Sequence, residues 1–152
     1  MTPAKWCVAL GTAAFLLAIG GVVVWRMSST EATQPDPRSP SLVARGKAIY
    51  AEHCASCHGA NLEGQPNWRE RLPNGRLPAP PHDATGHTWH HPDKQLFEMV
   101  KNGTAGIVPG YETDMPGYKG VLSDTEIWAT LSFIESTWPA DIRTRQQRLN
   151  RP

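Results

Sequence analysis

The stretch Cys54-Ala55-Ser56-Cys57-His58 constrains this chain more than any other. Two thiols three positions apart, with a histidine directly after the second, form the attachment signature of a c-type haem. Each thiol can form a thioether to one porphyrin vinyl group, and His58 can then turn inward to ligate the iron on its proximal side. A redox dithiol does not need the adjacent histidine, and a zinc site needs two further ligands at suitable spacing. Cys54, Cys57 and His58 are therefore assigned to one covalent haem c.

Between residues 42 and 138 the chain resembles a class I bacterial cytochrome c. Gly46 and Tyr50 lead into the haem motif, and Met115, in Asp114-Met115-Pro116-Gly117, follows 57 residues after His58. The resemblance implies an all-α cytochrome c domain whose function is one-electron transfer. It also implies Met115 as the distal iron ligand, loops wrapped around the porphyrin, and a close crossing of the terminal helices at Gly46. Thioether sulfur is a soft, weak donor to ferric iron, so a Met115 ligand would raise the reduction potential relative to a second histidine.

A domain of this size is short of apolar area, and a buried haem would supply much of its core, so folding is expected to depend on the cofactor. Residues 42–138 carry 8 Lys/Arg against 11 Asp/Glu, whereas residues 139–152 carry four arginines and Asp141 alone. The domain is thus acidic and the tail basic. No basic face within the domain suits phosphate, which argues against a nucleic-acid partner. The acidic surface instead suits transient encounters with a basic face on redox-protein partners. No Ser-His-Asp, P-loop or dinucleotide fingerprint offers an enzyme site.

Residues 6–25 contain no charged side chain, and as a helix these 20 residues would extend about 30 Å, the thickness of a bilayer core. Lys5 precedes the run and tryptophans stand at both ends, which predicts a single-pass anchor over residues 1–27 with its N-terminus in the cytoplasm. The competing reading is a cleaved signal peptide, with a weak site near Thr30-Glu31-Ala32. Either reading sends the remainder across the bacterial cytoplasmic membrane, where the resemblance places haem c attachment, on the periplasmic side. Cys7 lies within the apolar run and reads as an apolar-like residue. Residues 28–41 hold Pro35, Pro37 and Pro40 among small polar residues, a linker able to reach roughly 40 Å if extended.

A helix is expected from Ser39 or Ser41 to about His53, with Leu42, Ile49 and Tyr50 at helical spacing. Residues 59–91 are proline-rich and read as loop. A backbone carbonyl within residues 77–80 is expected to accept the second ring N–H of His58, fixing its tautomer. Trp68, Arg69 and Arg76 are candidate contacts for the haem propionates, since a partly buried carboxylate pair needs donors or positive charge. His82, His87, His90 and His91 could bind copper or zinc, or replace the distal methionine, but they lack a clear metal spacing and read first as loop histidines. A second helix is expected from Pro92 to Lys101, ending at Asn102-Gly103, with Met99 as core filler. Ser123-Asp124-Thr125-Glu126 is a capping box announcing a third, with Ile127, Trp128, Leu131 and Ile134 as its apolar stripe. The tail over 139–152 either extends as helix or stays loose, and reads as a docking element for acidic protein or anionic lipid or as a solvated end.

These readings converge on a membrane-tethered monohaem electron carrier. Two rivals stand beside it: a haem subunit of a larger membrane oxidoreductase, served by the anchor and tail, and a haem-based sensor or copper-handling protein, motivated by the histidines.

Overall fold

The computed structural model describes residues 33–151, and the anchor expected over residues 1–27 lies outside them. No helix among the described residues is long and apolar enough to cross a membrane. The described part is all-α, its one strand-like feature being an isolated bridge between Lys119 and Leu122.

Helix α1 (Pro40–His53) begins where Ser39 Oγ accepts the Leu42 N–H, with Pro40 supplying its fixed φ in the first turn. A single turn, α2 (Ala55–His58), follows directly and carries the haem motif. After a long loop broken by a 3-10 turn (Thr88–His90) come α3 (Asp93–Asn102), the short α4 (Thr104–Ile107), α5 (Asp124–Ser136) and α6 (Ala140–Leu149). The capping box of α5 is complete: Ser123 Oγ accepts from Glu126 N–H, and the Glu126 carboxylate accepts from Ser123 N–H. That carboxylate also receives Arg45 Nη2 of α1 at 3.2 Å.

The scaffold is the crossing of α1 over α5. A Cβ at position 46 would fall inside the Ala129 carbonyl of α5, so only glycine allows the two backbones to approach this closely. Gly46 is disfavoured in a helix interior by about 1 kcal/mol relative to alanine, and the crossing is its reason. Two apolar clusters share these helices. One holds Tyr50, Leu62, Trp89, Ile134 and Trp138 with Cys54 and Phe133 against it; the other holds Leu96, Phe97, Leu122, Ile127 and Leu131 with Ile49 and Trp128. Burying side chains such as Ile127 and Leu131 contributes roughly 2 kcal/mol each.

Two segments that composition sets apart are tied to this scaffold. Asp36 of the proline-rich linker donates its N–H to the buried Ser132 hydroxyl of α5 at 2.9 Å. Within the basic tail, α6 packs against the 3-10 turn and the start of α3. Gln146, fully buried, donates to the Asp93 carboxylate, and Asn150 Oδ1 accepts the Asp93 N–H at 2.8 Å, a free donor in the first turn of α3. The Arg145 guanidinium lies 4.9 Å over the Trp89 ring.

Candidate haem-binding site

The break between α1 and α2 arranges the motif. Cys54 closes α1 through its N–H to the Tyr50 carbonyl at 2.9 Å, then accepts from His58 N–H at 2.9 Å, so both cysteines and the histidine share one turn. Gly59 ends the turn at φ +82°, a conformation open to glycine. Its carbonyl is held by the Tyr50 hydroxyl at 2.9 Å. Both thiols are free, Cys57 exposed and Cys54 half-buried, and burial, with Cys57 nearby, pushes the Cys54 thiol up to about 11.

The loop beyond then folds back. His82 N–H donates to the Leu62 carbonyl, Gln65 N–H to the Ala79 carbonyl, and the Gln65 side chain takes the Ala79 N–H. At Gly64, with φ +67°, a Cβ would strike the junction of Pro80 and Pro81. These ties bring the Pro80 carbonyl to 2.8 Å from His58 Nδ1, within the segment the sequence singled out. A carbonyl only accepts, so Nδ1 carries the proton and Nε2 keeps its lone pair for a metal. Burial lowers the His58 pKa and so favours the neutral ring a ligand needs, while the Pro80 bond opposes that shift but fixes the tautomer.

The four clustered histidines do not converge. His82 stacks on His58, ring centroids 4.0 Å apart, with its Nδ1 2.8 Å from the Thr88 hydroxyl. Burial, with His58 and His87 nearby, drives its pKa well down. His87 stacks on Trp68 and meets His91 edge-on, while His90 lies on Trp89. Among the described residues no group of three or more His, Cys, Asp or Glu is gathered as a metal ion requires. His82 is thus a plate that fixes the plane of the His58 ring, a role its membership in a histidine-rich loop concealed.

Of the residues put forward for the propionates, Trp68 is half-buried between His87 and the Arg69 guanidinium, which lies 4.0 Å from its ring. Arg76 is ion-paired with Asp114, the neighbour of Met115. A further donor, one that sequence reading passed over, is Trp89 Nε1, buried with no partner among the described residues. Trp89 shares its cluster with Tyr50, and Cys54 and Ala55 pack against that cluster. An unmet buried N–H costs about 1–3 kcal/mol, so it suits a group that brings its own acceptor, as haem carboxylates do. The sequence signal available was only a tryptophan just ahead of a helix, which reads as ordinary core.

Met115 is half-buried on a loop anchored at both sides. Its own N–H donates to Thr113 Oγ1 at 3.1 Å, and the Thr104 hydroxyl lies 3.7 Å from its sulfur. Beyond it, Tyr118 and Lys119 donate their N–H groups to the Val100 and Lys101 carbonyls at the end of α3. The Tyr118 hydroxyl donates to the His53 carbonyl at 2.6 Å, tying the methionine loop to the residue before Cys54.

The sequence has relatives among known proteins. The chain is 32% identical over 95 residues to the cbb3-type cytochrome c oxidase subunit FixP of Bradyrhizobium sp. (strain ORS 278), covering 61% of this chain and 27% of that protein. It is 35% identical over 68 residues to the cbb3-type subunit CcoP of Azospirillum brasilense, covering 44% and 21%. Cytochrome c-555 of Prosthecochloris aestuarii is 28% identical over 82 residues, covering 50% of this chain and 83% of that one. The chain thus spans about a quarter of the length of the oxidase subunits it matches. The family model described as Cytochrome c matches residues 43–138, the stretch that runs from α1 to the end of the first apolar cluster at Trp138, and the chain belongs to the cytochrome c family, with covalently bound haem c as its cofactor.

Proposed function

We propose that this chain is a one-electron carrier in which Cys54 and Cys57 hold the haem, His58 is the proximal ligand and Met115 the distal one. When bound, the haem supplies reversible exchange of one electron at iron. The observation that carries the reading is the His58 Nδ1–Pro80 bond, which presents Nε2 for coordination within one turn of two free thiols. His82 stacking keeps that ring from rotating, and Trp89 Nε1 offers a propionate its donor. With His58 and Met115 both holding the iron, the haem would have no position open to a substrate, and the chemistry it would supply is electron transfer rather than catalysis. A spectroelectrochemical titration of the full chain tests this: a reversible curve following the one-electron Nernst slope is expected, and irreversible or multi-electron behaviour would contradict it.

The spanning segment over residues 6–25 motivates a single-pass anchor in a bacterial cytoplasmic membrane with the haem domain in the periplasm. Likeness to cbb3-type oxidase subunits favours one alternative setting, a haem subunit held in a larger membrane complex that receives or delivers electrons within the respiratory chain. Extraction in mild detergent separates the two. A chain that migrates alone is the free tethered carrier, and one that co-purifies stoichiometrically with other subunits is a fixed component. The dispersal of His82, His87, His90 and His91 gives a copper-handling or sensing role no supporting geometry.

A further inference from the structure

The corner between α3 and α4 is built against the methionine loop. Gly103 turns the chain there at φ +72°, and a Cβ on it would come within 2.9 Å of Gly117 N and 3.3 Å of the Met115 carbonyl oxygen. From the other side, a Cβ on Gly117 would meet the Asn102 carbonyl carbon at 2.7 Å and its oxygen at 2.8 Å. The two glycines therefore stand back to back, with backbone against backbone. Thr104, the residue after this corner, has its hydroxyl 3.7 Å from Met115 Sδ, a position set by main-chain contact and not by its own side chain.

A thioether sulfur has two lone pairs and is a weak acceptor. A hydroxyl that occupies one of them leaves the other to coordinate, and it withdraws electron density from the sulfur. We propose that Thr104 is the positioning residue of the distal ligand: its O–H donates to Met115 Sδ, selects the lone pair presented for coordination, and weakens sulfur donation so that the reduced state is favoured. This inference rests on the reading of Met115 as distal ligand. Nothing in the residue order around Thr104-Ala105-Gly106 announces it, because the partner lies eleven residues on.

The test compares the full-length haem-loaded protein with Thr104→Val, which keeps the shape and removes the O–H, and with Thr104→Ser, which keeps the O–H. The readouts are the midpoint potential, the sulfur-to-iron charge-transfer band of the oxidised protein, and the ease with which added imidazole displaces that band. In Thr104→Val the ratio of reduced to oxidised protein at a fixed potential should fall about threefold, which at 59 mV per tenfold is a drop of about 28 mV. Imidazole should displace the sulfur at lower concentration in the same variant, and Thr104→Ser should match the parent in both. A Thr104→Val protein indistinguishable from the parent overturns the proposal, as does a serine variant shifted as far as the valine one, since packing alone would then be responsible. The assignment of Met115 fails separately, and takes this inference with it, if the parent shows no such band and Met115→Ala leaves the spectrum unchanged.

Discussion

The two sides of the haem site are held by different means. On the proximal side, His58 is part of the attachment turn itself, and a loop zipped between residues 62–65 and 79–82 delivers one carbonyl and one stacked ring to it. On the side proposed as distal, Met115 lies far along the chain and depends on long-range ties: two glycines packed back to back, one hydroxyl on sulfur, the Tyr118 bond to His53, and the exposed Arg76–Asp114 pair. The proximal ligand is buried and fixed by backbone. Met115, the proposed distal ligand, is held by a loop whose ties are individually modest, so under that proposal it is the side at which potential and ligand exchange would be set.

Breaking the proximal side should have the largest effect. Replacing both Cys54 and Cys57 with alanine should abolish covalent attachment, read as loss of haem from the chain on a denaturing gel. Next comes the scaffold on which both sides rest: Gly46→Val would force α1 off the Ala129 carbonyl and should cost about 3 kcal/mol in a denaturant titration of the haem-loaded protein, loosening both ligands together. Met115→His confines the change to the distal side, with attachment intact and a potential lowered well beyond the Thr104→Val shift; an unchanged potential would remove Met115 from the site.

A pH effect should follow from Glu135. Its carboxyl is buried on α5 near Asp93, the first residue of α3, with Oε1 unpartnered among the described residues. Burial, then the nearby Asp93, raises its pKa from 4.5 to about 9. The folded state therefore holds a proton that the unfolded chain releases above 4.5, and stability falls as pH rises from there to about 9, by up to about 1.4 kcal/mol per unit. Melting temperatures at pH 6 and pH 9 should differ in the parent and converge in Glu135→Gln. The smallest effect belongs to Asp114→Asn. It removes an exposed ion pair worth less than about 1 kcal/mol, so it should shift the denaturant midpoint of the sulfur band slightly and leave the proximal side untouched.

How much of this the sequence discloses follows the same division. The attachment turn, the Ser39 cap and the Ser123 capping box are encoded within a few residues and legible there, whereas the close approach at Gly46 comes only from the family resemblance, its partner being Ala129 on a distant helix. The carbonyl for His58 could be narrowed to residues 77–80 because a ligating imidazole must place its second proton somewhere. Contacts made by loop closure were not legible. Arg76 carries a charge that suits a propionate, and its pairing with Asp114, beside a turn over residues 72–76, is a contact the sequence did not announce. His82 read as one of four loop histidines, and Trp89 as core. For the tail, a helix and a loose end are both open readings; what the sequence does not disclose is the docking of α6, because its most buried side chain is the polar Gln146.

The central claim is that protein side chains fill both axial positions. Carbon monoxide added to the reduced protein at neutral pH, followed by its optical spectrum, tests it most directly. No binding is expected with Met115 as the proposed distal ligand, on a loop tied to the end of α3. Rapid stoichiometric binding would mean an open distal side and would contradict the assignment of Met115 and the electron-carrier function built on it.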